Sequence, residues 1–249
     1  MQYGICNLSI VPLRFEPSDT SELVSQVLYG EVFKILEQRK SWSKIRLAYD
    51  NYEGWVDNKQ YIEISEVDYK SFIKEEHLLS YDLVEFIRDE NQQLLTISFG
   101  SSLNGLDLLK HKYDGHTISG KQEKTNLIKT AYTYLNAPYL WGGKTPFGID
   151  CSGFTQMVYK LNGYDLLRDA SQQATQGIPL SFIEESEPGD LAFFDNSEGR
   201  IVHVGIILEN NYIIHAHGKV RIDRLDHSGI YNVDQNAHTH KLRVIKKII

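Results

Sequence analysis

The feature that most constrains this chain is a cysteine at the start of an amphipathic helix. After Cys151, apolar residues recur at helical spacing at Phe154, Val158 and Leu161, and Gly163 provides a C-terminal cap. A helix N-terminus carries about half a positive charge and unpaired backbone N–H groups, which favour a thiolate and a developing oxyanion. The pattern predicts that Cys151 is a nucleophile whose sulfur is held as an anion.

Two histidines further along the chain can supply the base and its orienting partner. His203 lies in a β-branched stretch, residues 200–208, and His215 lies in a second stretch, residues 212–216, that follows a short turn. Antiparallel neighbours place the two rings on one face of a sheet, so that one histidine meets the sulfur and the other orients it. His217 is predicted to be a neighbour of this pair and not its orienter.

Two other interpretations stay open from the residues alone. A cysteine can be a small buried hydrophobe, and a histidine can have a purely structural role. A metal site is the second alternative, although the spacing matches no standard zinc motif, so we predict no metal and no cofactor. The candidate metal ligands would be Cys151, His203, His215, His217, His238 and His240.

Composition excludes some classes of partner. The chain has 249 residues, 41% of them hydrophobic, which is enough for a substantial core and for more than one domain. Its net charge is −7 without a block of like charges, which argues against binding to nucleic acid or to an anionic membrane. An acidic protein suits a substrate that carries an amine.

The cellular compartment and the oligomeric state are predicted from weaker signals. No basic residue precedes Arg14, and no apolar stretch resembles a signal peptide or a transmembrane span. The two cysteines provide no disulfide framework, and Cys6 is predicted to be an inert core residue. We therefore expect a cytoplasmic protein, and a monomer is the expected oligomeric state.

The chain divides by pattern into an N-terminal β-rich part and a C-terminal α+β part. Residues 1–66 contain short alternating segments that predict a small β-barrel, and residues 67–74 form a polar connector. Residues 75–122 contain a second, degenerate set of apolar stretches, which predicts a second barrel. From residue 123 to 249, a helix over residues 123–135 and several strands predict an α+β catalytic domain.

Several ordered motifs together resemble a known family. Residues 139–143 (Tyr-Leu-Trp-Gly-Gly), 150–154 (Asp-Cys-Ser-Gly-Phe), 203–205 (His-Val-Gly) and 214–216 (Ile-His-Ala) resemble the NlpC-type cell-wall peptidases, which are papain-like bacterial enzymes. Gly-Glu-x-Phe, Trp-x-Lys and Gly-Trp-Val elements in the N-terminal part resemble bacterial SH3-like domains. The resemblance implies a papain-like catalytic domain preceded by one or two SH3-like barrels.

The resemblance also implies a role for each site residue. Cys151 is the nucleophile, His203 the base and His215 the orienter, and the Tyr139 hydroxyl with the Cys151 backbone N–H stabilises the oxyanion. The residues implied to line the cleft or the substrate pocket are Trp141, Asp150, Ser152 and Ser171. Simpler roles stay open for some of them: core packing for Tyr139 and Trp141, and helix capping for Asp150 and Ser171.

The resemblance further implies that the first barrel closes one end of the cleft and selects short peptides with a free N-terminus. Glu22 is the candidate partner of a substrate ammonium group, and a solvated loop carboxylate is the alternative. The expected function is hydrolysis of the γ-D-glutamyl–diamino acid bond in L-Ala-γ-D-Glu-diaminopimelate during murein peptide recycling. An amidase or acyltransferase with the same cysteine and histidines, or a cell-wall-binding module with an inert papain-like domain, are the alternatives.

Overall fold

The computed structural model describes residues 2–249, which fall into two units. The N-terminal unit contains the chain up to Lys121 together with Trp141–Pro146, and the C-terminal unit contains Gln122–Leu140 and Phe147–Ile249. The short segment 141–146 therefore belongs structurally to the N-terminal unit, although it lies just before Cys151 in the sequence. No helix among the described residues is long and apolar enough to cross a membrane.

Short antiparallel strands make up most of the N-terminal unit. The first seven are β1 (Gln2–Ile5), β2 (Ile10–Arg14), β3 (Leu23–Leu28), β4 (Val32–Gln38), β5 (Trp42–Leu47), β6 (Glu53–Asp57) and β7 (Ile62–Ile64). They form one sheet in the order β3-β2-β6-β5-β4-β1-β7. Period-two alternation explains its core: in β5 the side chains of Ser43, Ile45 and Leu47 are buried and those between them are not. Cys6 is buried in this core, as predicted.

A helix and a tight turn interrupt the strands of this unit. Residues 67–74, predicted to be a polar connector, lie mostly in helix α1 (Glu66–Phe72). Ser65 caps this helix, because its side chain accepts a hydrogen bond from the Asp68 backbone N–H. The apolar stretch 27–36 is divided between β3 and β4 by a turn at Gly30, which has a φ of +76°.

The rest of the N-terminal unit consists of short strands and one short helix. These elements are β8 (Leu79–Ser80), β9 (Val84–Arg88), β10 (Leu94–Ser98), α2 (Leu106–Leu109), β11 (Lys112–Tyr113), β12 (Thr117–Ile118) and, further along the chain, β13 (Lys144–Thr145). They form a three-stranded sheet β10-β9-β11 and a two-stranded sheet β12-β8. Tyr29 from the end of β3 packs with Ile87, Ile97 and Leu103 in the core of this region. The division into barrels at residues 1–66 and 75–122 stays a prediction.

The C-terminal unit combines a closed sheet with three helices. Its elements are α3 (Lys124–Thr133), β14 (Gly148–Ile149), α4 (Cys151–Lys160), α5 (Ala170–Gln173), β15 (Ile178–Leu180), β16 (Leu191–Asp195), β17 (Ile201–Ile207), β18 (Tyr212–His217), β19 (Lys219–Asp226), β20 (Gly229–Asn232) and β21 (Ala237–Lys247), with two single 3-10 turns at Ile183–Glu185 and Glu209–Asn211. The sheet order is β15-β21-β16-β17-β18-β19-β20, and β21 also pairs with β20. Helix α4 packs against β17 and β18, which brings the start of the helix to the histidine strands.

Candidate active site

The candidate nucleophile lies at the first residue of α4, where the sequence predicts it. Asp150 is the N-cap residue, and its carboxylate accepts a hydrogen bond of 2.6 Å from the Gly153 backbone N–H. Every residue of the helix is buried, and the edge of Phe154 packs on Tyr134 of the same unit, with ring centroids 5.8 Å apart. A fully buried helix holds its first residue in one place, as a nucleophile requires.

The sulfur of Cys151 lies against the strand that carries the candidate base. Cys151 is 7% exposed, and its sulfur accepts hydrogen bonds from the backbone N–H groups of Val204 and Ser152. Val204 directly follows His203 in β17. The cysteine is therefore buried beside the residue that the sequence predicts as its base.

The two predicted histidines are joined by a hydrogen bond. Nε2 of His203 and Nδ1 of His215 are 2.8 Å apart, and both side chains are buried. In the β17–β18 register His215 lies opposite Gly205, so His203 reaches it diagonally along the same face. A Cβ atom on Gly205 would lie 2.8 Å from the Cβ of His215, so the absence of a side chain there leaves room for this contact.

The hydrogen-bond network continues beyond His215 to residues that the sequence analysis did not predict. Nε2 of His215 is 3.1 Å from Oδ2 of Asp223 on β19, and Asp223 accepts hydrogen bonds of 2.7 and 2.9 Å from Arg221. Arg221 also donates to Asp234 at 2.8 Å. The sequence signal for these residues is the alternation of Arg221 and Asp223 along β19. In the β18–β19 register, Arg221 lies opposite His215. This pattern is also typical of a solvent-exposed strand face.

Burial opposes charge on both the sulfur and the predicted base. Burial, followed by the nearby Asp150 carboxylate, raises the pKa of the Cys151 thiol to about 12, against the opposing effect of the backbone N–H groups. Burial, followed by the neighbouring rings of His215, His240 and His217, lowers the pKa of His203 well below its ordinary value. The predicted resting thiolate is thus favoured by the helix terminus and by the backbone N–H groups and opposed by burial and by Asp150, and it stays a prediction.

Alkylation rates test this protonation state. We expect iodoacetamide to modify Cys151 slowly at pH 6 and about tenfold faster for each pH unit up to about pH 9, because the thiolate fraction rises tenfold per unit below the pKa. The measurement is mass spectrometry of the labelled peptide, and a Cys151→Ala variant reports any reaction at Cys6. A rate that is already constant from pH 6 upward would show a thiolate in the resting enzyme.

Two further histidines surround the pair. The ring of His240 stacks on His203 with centroids 4.1 Å apart, and His217 stacks on His215 at 6.2 Å. His217 is thus a neighbour of the pair, as predicted. Burial and the two nearby histidines lower the pKa of His240 to about 4, so this ring is neutral at neutral pH. Among residues 2–249, no group of three or more His, Cys, Asp or Glu side chains is placed to hold a metal ion.

Tyr139 is placed to provide a hydrogen-bond donor near the sulfur. A parallel bridge joins it to Ile149, two residues before Cys151. Burial, followed by the charges of Cys151 and Asp150, raises the pKa of Tyr139 to about 12. The hydroxyl is therefore protonated at neutral pH and can donate to an oxyanion, so its predicted role is chemically possible.

The predicted pocket residues Asp150 and Ser152 meet an arginine that the sequence analysis missed. Arg168 is 1% exposed and donates to both carboxylate oxygens of Asp150, at 3.0 and 2.7 Å, and to the Ser152 hydroxyl at 3.0 Å. The Asp150 charge is thus neutralised within the protein. Ser171 is exposed within α5, whose N-cap is Asp169, so the capping alternative for Ser171 is wrong.

Glu22 and Trp141 contact each other within the N-terminal unit. The indole N–H of Trp141 donates to a Glu22 carboxylate oxygen at 2.7 Å, and Trp141 is 60% exposed, so the core-packing alternative for this residue is wrong. The same segment is held by a hydrogen bond from the Lys144 backbone to Gln26 and by a buried ion pair between Lys144 and Glu31. Glu22 is thus exposed to solvent, with one carboxylate oxygen hydrogen-bonded to Trp141.

A buried cysteine at a helix N-terminus, next to a histidine pair on an antiparallel sheet, is the arrangement of a papain-like cysteine peptidase. The comparisons with known proteins agree: residues 136–239 match the NlpC/P60 family, and residues 13–60 match the bacterial dipeptidyl-peptidase SH3 domain. The chain thus combines an NlpC/P60 domain with a bacterial SH3 domain. NlpC/P60 is a cysteine peptidase family, so the prediction of an enzyme of this class is confirmed.

The alignments with individual relatives extend over most of the chain. A dipeptidyl-peptidase 6 from Lysinibacillus sphaericus is 28% identical over 245 residues, which cover 85% of this chain and 87% of the relative. A γ-D-glutamyl-L-lysine dipeptidyl-peptidase from Bacillus subtilis is 28% identical and covers 77% of this chain and 71% of the relative. The crystal structure of an NlpC/P60 family protein from Bacillus cereus superimposes with a TM-score of 0.82 at 20% identity, covering 99% of both chains. The predicted fold class is confirmed.

Proposed function

We propose that this protein is a cysteine endopeptidase that hydrolyses the γ-D-glutamyl–diamino acid bond of short murein peptides with a free N-terminus. One observation carries the proposal: a buried Cys151 beside the backbone of Val204 and a hydrogen-bonded His203–His215 pair lie in a chain that resembles γ-D-glutamyl-L-lysine dipeptidyl-peptidases over both of its domains. The proposal includes a role in peptide recycling in the cytoplasm, where both free cysteines would stay reduced.

The reaction would proceed by acyl transfer to the cysteine. Cys151 attacks the carbonyl carbon of the γ-D-glutamyl group while its proton moves to His203, and the Cys151 backbone N–H and the Tyr139 hydroxyl bind the oxyanion. The amine of the diamino acid leaves with the proton from His203, which produces a thioester. Water, deprotonated by His203, then releases the L-Ala-D-Glu dipeptide and restores the thiol.

Recognition of the free N-terminus is the most specific part of the proposal. Glu22 and Asp150 are the predicted partners of the substrate ammonium group. Because Arg168 already neutralises Asp150, Glu22 is the stronger candidate: Trp141 engages one of its oxygens and orients the carboxylate. Trp141, Ser152 and Ser171 stay predicted pocket residues.

Product analysis tests the proposal directly. We expect the protein to cleave L-Ala-γ-D-Glu-diaminopimelate, or its L-lysine counterpart, to L-Ala-D-Glu and the free diamino acid, and to cleave the N-acetylated peptide at least about tenfold more slowly. This ratio corresponds to about 1.4 kcal/mol of lost ammonium recognition. Mass spectrometry of the products provides the measurement. Equal cleavage of both peptides would contradict N-terminal selection, and absence of cleavage of either would contradict the proposed bond.

A further inference from the structure

We propose that Asp223 is a positioning residue that sets which ring nitrogens of His215 and His203 carry protons, and thereby prepares His203 to act as a base. The inference deepens the proposed function, because it concerns the same cysteine–histidine site. It starts from a continuous line of contacts on three neighbouring strands: Arg221 to Asp223, Asp223 to His215, and His215 to His203.

The carboxylate is the fixed end of this line. Burial alone would raise the pKa of Asp223, but hydrogen bonds from His215 and Arg221 together lower it below its ordinary value. Asp223 is therefore ionised, and an ionised carboxylate can only accept hydrogen bonds. The contact at 3.1 Å consequently requires a proton on Nε2 of His215.

The position of this proton determines the next one. Burial lowers the pKa of His215, so its ring is neutral and has one N–H group. With the proton on Nε2, its Nδ1 is an acceptor, and the 2.8 Å contact then requires His203 to donate from its own Nε2. A neutral His203 with a proton on Nε2 has an unprotonated Nδ1. That nitrogen can take the thiol proton of Cys151.

Arg221 holds the carboxylate in the required orientation. Its Nε and Nη2 donate to the two different oxygens of Asp223, and Nη2 also donates to Asp234. The charged or titratable side chains around the line are His203 on β17, His217 on β18, Arg221 on β19, His240 on β21 and Asp234 after β20. Asp234 accepts from Arg221, whereas the carboxylate within hydrogen-bond distance of His215 is that of Asp223.

The first test reads the native protein in the absence of substrate. Nitrogen-15 NMR of the imidazole rings at neutral pH distinguishes protonated from unprotonated ring nitrogens, with His203→Gln, His215→Gln and His217→Gln used only to assign signals. We expect both His203 and His215 in the Nε2–H form. A proton on Nδ1 of either ring in the native protein would overturn the inference, whatever bond the enzyme cleaves.

The second test removes the fixed acceptor. An Asp223→Asn side chain has one acceptor oxygen for three donors, so its amide group can also face His215 and reverse the proton pattern. We expect the Nδ1–H form to become populated at both histidines and kcat to fall roughly 10- to 100-fold, less than the ~10⁴-fold loss for a direct imidazole partner. KM should stay within about twofold, because Asp223 does not bind substrate.

A matched control separates positioning from stability. Asp190 in the same unit is also fully buried and accepts a hydrogen bond of 2.8 Å from Lys124, but it lies outside the histidine network. Asp190→Asn should lower the melting temperature and leave the imidazole signals and kcat unchanged. Native imidazole signals and an unchanged kcat in Asp223→Asn would overturn the inference. Loss of kcat in Asp190→Asn as large as in Asp223→Asn would do so as well.

Discussion

Replacing Cys151 with alanine is expected to abolish peptide hydrolysis, with kcat at least roughly 10⁴-fold lower than in the native protein. The thioester cannot form without the sulfur, and alanine has no nucleophilic atom to replace it. The variant should remain folded, because alanine is compatible with the first turn of a helix and removes only one buried atom. Substrate turnover and far-UV circular dichroism provide the two measurements.

The second cysteine offers a matched control. Cys6 is also buried, and burial raises its pKa to about 12, but it lies in the apolar core of the N-terminal sheet. A Cys6→Ala variant should therefore keep its turnover and lose a modest amount of stability. Residual native-like turnover in Cys151→Ala would contradict the assignment of the nucleophile, as would equal loss of turnover in both variants.

Removing the charge of Arg168 should cause the largest loss of stability. Arg168 is 1% exposed and pairs with both oxygens of Asp150, so Arg168→Met leaves a buried carboxylate without its counter-charge. Breaking a buried ion pair in this way costs about 3–5 kcal/mol. Changing Asp150 to asparagine in the same chain should recover part of the loss, because asparagine is as good an N-cap and carries no charge.

The unfolding of the two units can be followed separately by fluorescence and by circular dichroism. All three, Trp42, Trp55 and Trp141, belong to the N-terminal unit, whereas the two ten-residue helices α3 and α4 belong to the C-terminal unit. In urea, the circular dichroism transition of Arg168→Met should therefore shift further than the fluorescence transition. Arg200→Met, which breaks an exposed pair with Glu198, should change stability by less than about 1 kcal/mol. Equal stability of both variants would contradict this account.

The parts of the site that the sequence predicts are those set by local pattern. Helical spacing after Cys151 predicts where α4 begins, and the turn between two β-branched stretches predicts the β17–β18 hairpin that unites His203 and His215. Asp223 and Arg168 were not predicted, because each meets its partner through contacts between elements that no short pattern encodes. Of the charged residues in β19 only Asp223 is buried, and the alternation in the sequence does not reveal which of them it is.

The sequence does not determine the charge state of the sulfur, for a similar reason. A sequence shows that a residue starts a helix, and therefore that about half a positive charge faces it. It does not show how completely the tertiary fold removes water from that residue, nor that the Asp150 carboxylate lies close enough to oppose ionisation. The extent of burial depends on the packing of α4 against β17 and β18, which is a property of the whole unit.

The burial of Cys151 has a consequence for survival under oxidative stress. Peroxide converts thiolates to sulfenic acid far faster than it converts thiols. Cys151 is 7% exposed, and burial raises the pKa of its thiol, so both contact with peroxide and the thiolate fraction are reduced. The burial of this residue is therefore expected to slow oxidative inactivation between turnovers, which a turnover assay after peroxide treatment measures.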